Sequence, residues 1–398
     1  MRGQPCQRAR WSLTSPLAAV AGTLSSANRS DGSLAGVTPT THHQPPTIAV
    51  GVIGLGFMGS THIQALLSIP GAHLAAVCSR DETKLSGDLS AIQGNTGAPG
   101  ARLNFSGVAK YRAIHQMLED PGIDAIDICL PTYQHSGVAI DALRAGKHVL
   151  VEKPMALDAA SARLMISEAK SHDRVLMVAQ VLRFFPMYAA LREVLSSGRI
   201  GVVRMAKFQR RCAAPTWSGW LADPQHSGGG VFDLLIHDVD MCLHLFGRPE
   251  TVSATGYEAL ASGVDVITAQ LHYPARQTAI VTGGWHHPKS YPFSMEYTVV
   301  ADGGTVEYSS LARAAGVTEP RPSGSGAPAL YGADGKMELL PMTERDGYRA
   351  EIEYFLDCCR HCRTPELCPP EESADAVAIA RCMLEARNRK GEKIRCNL

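Results

Sequence analysis

The sequence predicts a two-domain α/β protein: a doubly wound parallel sheet, then an α+β domain on a largely antiparallel sheet. Three observations carry this. Short apolar strands alternate with helical segments from residue 47 to residue 178, the grammar of a parallel sheet covered on both faces. After about residue 180, alternating strand-like runs take over, with a hairpin break at Ala301-Asp302-Gly303-Gly304. The 398 residues are enough for two domains.

The elements follow in order. Pro45-Pro46 closes a tail over 1–46, and Thr47-Ile48-Ala49-Val50-Gly51-Val52-Ile53 reads as a buried strand. A helix over 60–68, a strand at 74–78, a helix over 111–118 and a strand at 124–129 come next. A helix over 135–145, a strand at 147–151, a helix over 158–171 and a strand at 175–178 complete the first pattern. The first domain is placed at 47–172 and the second at 173–398. Helices are expected at 187–197, 231–246 and 371–389, and strands at 251–258, 264–273, 277–285 and 293–300. The Gly-, Pro- and Ala-rich stretch 313–336 reads as an extended loop, and the last helix is free to pack back on the first domain.

Composition excludes several classes. Thirty-eight basic residues balance thirty-eight acidic ones, so bulk charge points to neither nucleic acid nor an anionic membrane as partner. No apolar run reaches the roughly 18 residues of a membrane-spanning helix. Eleven cysteines in so long a chain do not make a small secreted scaffold, and a reducing compartment suits them. Cys358, Cys359, His361 and Cys362 read either as a metal knuckle or, preferentially, as a helix that carries cysteines. The tail holds Arg2, Arg8, Arg10 and Arg29 and no acid before Asp31. It resembles a transit peptide, a poor secretory signal or an extension with no address. A cytoplasmic location is preferred, with an organellar or exported form left open.

Two constellations carry chemistry. Gly54-Leu55-Gly56-Phe57-Met58-Gly59 follows the first strand and opens a helix, the dinucleotide-binding context of G-x-G-x-x-G in a Rossmann domain. Free N–H groups at that helix start suit a pyrophosphate. Ser79 and Arg80 end the second strand, where an acid would bind the ribose of NAD. A hydroxyl and a guanidinium there favour NADP(H), with NAD(H) possible and Asp81 as the competing ribose ligand. Glu152-Lys153-Pro154 ends a parallel strand and aims Lys153 at the ligand end of the sheet. Asp233 and His237, four apart after Gly228-Gly229-Gly230, share one helix face. That face reads as an acid–base pair, as part of a metal site with Asp240 and His244, or as helix capping and solvation. Trp217 and Trp220 read as sugar-stacking or as core.

Together these residues resemble the Gfo/Idh/MocA oxidoreductases, which include glucose–fructose oxidoreductase and inositol dehydrogenases. The matching segments are the glycine loop at 54–59, the run from Ala142 to Pro154, the Gly-rich helix start leading to Asp233 and His237, and Arg183-Phe184-Phe185-Pro186. The similarity covers about residues 47–398. It implies a Rossmann domain, a second domain with an open, mostly antiparallel sheet, a tightly held nicotinamide cofactor, and a homodimer or homotetramer formed through the sheet face. Carried over by position, Lys153 and His237 contact the reacting hydroxyl of a sugar or cyclitol, and Asp233 binds substrate. Gly54, Gly56, Phe57, Met58, Gly59, Pro131, Thr132, His135 and Glu152 join Ser79 and Arg80 along the cofactor, and Arg183 and Trp217 join the substrate site. The family needs no metal. The expected activity is hydride transfer at a CH–OH group. Two alternatives are a glycoside-processing enzyme whose bound cofactor is reduced only transiently, and a regulator without catalysis.

Overall fold

The computed structural model describes residues 46–94, 100–215, 219–275, 277–311 and 326–398. The first region runs β1 (Ile48–Ile53), α1 (Phe57–Leu67), β2 (Ala72–Cys78), α2 (Glu82–Leu85), β3 (Ala109–Tyr111), α3 (Ile114–Leu118), β4 (Ala125–Ile128), α4 (His135–Arg144), β5 (His148–Glu152), α5 (Ala159–Ser171) and β6 (Leu176–Ala179). Its six strands pair in the order β3-β2-β1-β4-β5-β6, all in parallel. Both faces are covered, so the central strands are apolar runs: β4, β5 and β6 are buried almost throughout. The order reverses between β1 and β4, which opens a crevice at their carboxyl ends.

The second region runs α6 (Pro186–Ser196), β7 (Val203–Ala213), α7 (Pro224–Ser227), a π-helical turn over Val231–Leu235, α8 (Ile236–Phe246), β8 (Thr251–Ala259), β9 (Val264–His272), β10 (Thr278–His287), β11 (Ser294–Ala301), β12 (Gly304–Ser309), β13 (Ala329–Gly332), β14 (Met337–Leu339), α9 (Gly347–Arg360), α10 (Pro370–Asn388) and β15 (Ile394–Arg395). Nine strands form one open sheet, β14-β13-β12-β11-β7-β10-β9-β8-β15. Every pair in it is antiparallel except β10 with β7. One face packs on α8 and α10, and the alternating burial of β9 and β10 leaves the other partly exposed.

Four expectations change. The helix placed over 111–118 is β3 followed by α3, because Ala109–Tyr111 pairs with Ala76–Cys78. A central strand, β7, was not expected at all. The boundary at 172/173 cuts off β6, which pairs with β5 and so belongs to the parallel sheet. Within the stretch read as a loop, 329–332 is a strand paired with β12; residues 312–325 lie outside the described residues, as do 1–45. The last two helices do return to the first region: α9 packs on α1 and α10 on α5. No helix among the described residues is long and apolar enough to cross a membrane.

Candidate active site

A cleft of about 2450 Å³ runs from the glycine loop to the start of α8. Ordinary small-molecule pockets occupy about 300–1,000 Å³, so it has room for a dinucleotide and a substrate. At one end Gly54 turns the chain at φ +96°, a conformation that excludes a side chain. Gly59 lies against it, and a Cβ there would meet Gly54 O at 1.9 Å. Gly56 faces open space, with nothing within 4 Å of a built Cβ. No side chain caps α1 and no acid lies in its first turn, so its leading N–H groups are left for an anion. Gly54, Gly56, Phe57 and Met58 line the cleft. Gly59 instead makes the close approach behind it. These features fit the diphosphate of a nicotinamide dinucleotide.

Farther along the same end, Ser79 and Arg80 line the cleft. Asp81 also lines the cleft, and its Oδ1 caps α2, accepting from the N–H groups of Thr83 at 2.9 Å and Lys84 at 3.4 Å. Lys84 and Arg112 line the cleft here too, and sequence reading missed both. Arg112 is 2.5 Å from Glu82 across solvent. Arg112 follows β3, so only the strand reading brings it beside Arg80.

Pro131, Thr132, Glu152 and Lys153 line the middle of the cleft. His135 does not. It is buried, with Nδ1 2.8 Å from Pro154 O and Nε2 2.7 Å from Leu130 O. It braces the turns after β4 and β5 and does not touch the cofactor space, because its first-turn position on α4 points it beneath them. Burial holds its pKa below the ordinary histidine value.

At the far end the two regions meet. The Lys153–Pro154 peptide is cis. Lys153 Nζ donates to Asp233 O at 2.5 Å and lies 3.4 Å from Asp233 Oδ1. Asp233 sits in the π-helical turn and His237 in the first turn of α8; both line the cleft with Lys153. His237 Nδ1 has no hydrogen-bond partner. Burial, then the positive charges of Lys153 and Arg210, hold its pKa well below 6.5. A neutral imidazole beside an ammonium is an arrangement that can take a proton from a hydroxyl while its oxygen is polarised.

Arg183 is not in the substrate site. It is 2% exposed and forms a bidentate pair with Asp240 at 2.8 and 2.6 Å. It also donates to Glu372 Oε2 at 2.6 Å and Leu367 O at 2.9 Å. With Asp240 so engaged and His244 Nδ1 3.3 Å from Arg183 Nη1, the Asp233–His237–Asp240–His244 face does not converge on a metal. Cys358 and Cys359 are buried in the packed face of α9. Trp217 lies outside the described residues; Trp220 lines the cleft.

Comparison with known proteins follows the same division. A model described as an oxidoreductase family with an NAD-binding Rossmann fold matches residues 48–180, and the GFO/IDH/MocA C-terminal domain model matches residues 188–307. The chain is 33% identical to myo-inositol 2-dehydrogenase of Thermotoga maritima, over 55% of this chain and 63% of that protein. It is 31% identical to trans-1,2-dihydrobenzene-1,2-diol dehydrogenase of Mus musculus, over 56% of this chain and 64% of that protein. The aligned part thus spans just under two thirds of either relative. A structure of levoglucosan dehydrogenase with NADH and levoglucosan superposes with a TM-score of 0.73 at 16% identity, covering 88% of this chain and 100% of that one, a likeness of fold alone.

Proposed function

Because the chain belongs to the Gfo/Idh/MocA oxidoreductase family, we propose that it is an NAD(P)-dependent dehydrogenase or reductase acting on a CH–OH carbon of a sugar or cyclitol. The observation that carries this reading is the meeting of Lys153, Asp233 and His237 at the end of a cleft that begins at the glycine loop. When bound, the nicotinamide supplies the hydride acceptor or donor. The protein's groups do the rest. Lys153 presents its ammonium to the reacting oxygen, which stabilises charge on it. His237, kept neutral, takes the hydroxyl proton in oxidation and returns it in reduction. Asp233 holds Lys153 and binds a neighbouring substrate hydroxyl.

NADP(H) is the preferred cofactor in this reading. Arg80 and Lys84, with Arg112 if it leaves Glu82, give cationic partners for a 2′-phosphate, while one oxygen of Asp81 is engaged in capping its helix.

One observation favours a second substrate class. Half-buried Phe185, Pro186, Trp220, Phe293 and Met342 line the same cleft as the three polar groups. Such walls suit a cyclic diol with an apolar edge, of the kind named for the mouse relative, better than a ring hydroxylated all round.

The test follows reduced nicotinamide spectrophotometrically, with NADP⁺ and NAD⁺ offered separately against inositols, aldoses, anhydro-sugars and a trans-cyclohexadiene diol. His237→Ala should lower turnover on the best substrate by about 10²–10⁴-fold with NADPH binding unchanged. Unchanged turnover rejects the role given to His237. Silence on the whole panel by a protein that binds NADPH rejects the dehydrogenase reading for these substrates.

A further inference from the structure

Behind Lys153 lies a buried polar cluster that hydride transfer does not itself use. His62, in the middle of α1, is wholly buried. Its Nδ1 is 2.9 Å from Asp127 Oδ2 and 3.2 Å from Oδ1, and its Nε2 is 3.1 Å from Glu152 Oε1. The Cys129 thiol donates to Asp127 Oδ1 at 3.5 Å. The other oxygen of Glu152 accepts the backbone N–H of Lys153 at 3.0 Å. A line of contacts runs from Asp127 through His62 and Glu152 to Lys153 and on to Asp233, its His62–Glu152 link being a close charge contact in which Nε2 makes no hydrogen bond.

We infer that His62 is a positioning residue: hydrogen-bonded to Asp127 and in charge contact with Glu152, it steadies the Glu152 carboxylate and, through it, the backbone that aims Lys153 into the cleft. A neutral imidazole has one N–H and one lone pair and could serve only one of two carboxylates. With Nδ1 bonded to Asp127, a bare lone pair on Nε2 would repel the Glu152 carboxylate 3.1 Å away, and a proton there turns that repulsion into attraction. Burial alone would lower its pKa, but the charge and hydrogen bond of Asp127 overcome this and hold it well above 6.5.

The surroundings agree. The groups facing His62 are Asp127 and Cys129 from β4 and its end, Glu152 from β5, and Tyr348 and Glu351 from α9. Glu351 has neither oxygen hydrogen-bonded, and burial, with Glu152 and Asp127 nearby, pushes its pKa well up, so it sits there as a neutral acid. His62 then lies between the Asp127 and Glu152 carboxylates while the Lys153 ammonium meets Asp233, and buried charges persist only when so partnered. His62 is also on the helix whose start faces the diphosphate site, so the line ties that helix to the end of β5. The inference rests on the proposed function only for the consequence of aiming Lys153; the positioning is read without turnover.

The test measures how exposed Lys153 Nζ is to reductive methylation, by peptide mass spectrometry, with the exposed Lys110 and Lys390 as internal references. His62→Gln removes that charge contact. The double variant His62→Gln with Asp127→Asn removes both buried charges and keeps similar shapes, so it carries the test where the single variant does not fold. In the folded variant, Lys153 should be modified about fivefold faster relative to Lys110, while NADPH affinity, read by fluorescence, stays within about twofold. An unchanged Lys153 rate overturns the inference. So does about one equivalent of zinc in the purified wild-type protein, because His62, Asp127 and Cys129 converge closely enough to hold an ion. Wild-type protein that binds neither NADPH nor NADH would count instead against the proposed function.

Discussion

Alanine at Gly56 and at Gly59, one position at a time, separates the demands of the cofactor from those of the fold. Gly56 caps α1 at φ −92° and ψ −160°, which any residue adopts, and an added Cβ meets nothing within 4 Å. Gly56→Ala should therefore leave Tm within about 1 °C of wild type without cofactor, as benign substitutions do. Its methyl group stands where a pyrophosphate must approach, so NADPH affinity should fall at least about tenfold. Gly59→Ala is different. Its Cβ would lie 1.9 Å from Gly54 O and 3.0 Å from Gly54 C, so backbone must move by about 1 Å to reach normal contact. Gly54 is itself close-packed, since a Cβ built on it would meet Cys129 O at 2.4 Å. Overpacking of this kind costs about 1–3 kcal/mol, and at about 2–4 °C per kcal/mol for a chain of this size Tm should drop by several degrees. Thermal unfolding without cofactor, then a fluorescence titration with NADPH, reads both effects. A Gly56→Ala protein that binds NADPH as wild type does would refute the placement of the diphosphate on α1.

Two further outcomes follow from the cleft. Arg80→Glu puts an anion beside Lys84 and Arg112, and should weaken NADPH relative to NADH by about 10–100-fold; equal affinities of the wild-type protein for the two would already sink the NADP(H) preference. The pH dependence of oxidation follows from His237. Its charged form is disfavoured by burial, Lys153 and Arg210, so the base form persists as pH falls past the ordinary value near ~6.5. The acid limb of kcat/KM should lie below that value, and a limb above it would contradict a neutral His237.

Much of this was legible in the sequence where local pattern and tertiary role agree. The strands of the parallel sheet are buried on both faces, so their apolar runs stand out, and the glycine loop follows from sterics that act within six residues. β7 was not legible for a physical reason. Its sequence, Val-Arg-Met-Ala-Lys-Phe-Gln-Arg-Arg-Cys-Ala, alternates poorly: apolar Val203 and Met205 fall on the outward parity, and an arginine, Arg210, occupies a buried inward position. It can do so only because Asp238, 28 residues later, meets it at 3.0 and 2.9 Å. Arg183 misled in the same way: a charge in a site-like motif is spent on Asp240, 57 residues away. No local pattern distinguishes a cation that waits for a ligand from one already paired across the fold. Lys84 and Arg112 escaped for the opposite reason, since their place beside Arg80 depends on β3 and α2 being where they are.

The two buried pairs also explain how α8 can carry a neutral acid–base residue. Asp238 and Asp240 flank His237 on the same helix but project toward different partners. Arg210 comes from the centre of the nine-stranded sheet, whereas Arg183 follows β6 at the edge of the parallel sheet. One helix is thereby pinned to both halves of the molecule by bidentate bonds, a geometry that fixes direction as well as distance. Such pairs add little net stability compared with apolar packing of the same volume, but leaving one partner unpaired in the interior costs about 3–5 kcal/mol. Alternative seatings of α8 that break either pair are therefore disfavoured. His237 gains a fixed position relative to Lys153 at the end of β5. Arg210 adds to this by its charge, since it stands near enough to help keep the imidazole unprotonated. The same residue thus orients the helix that bears the base and sets the protonation state in which that base is useful.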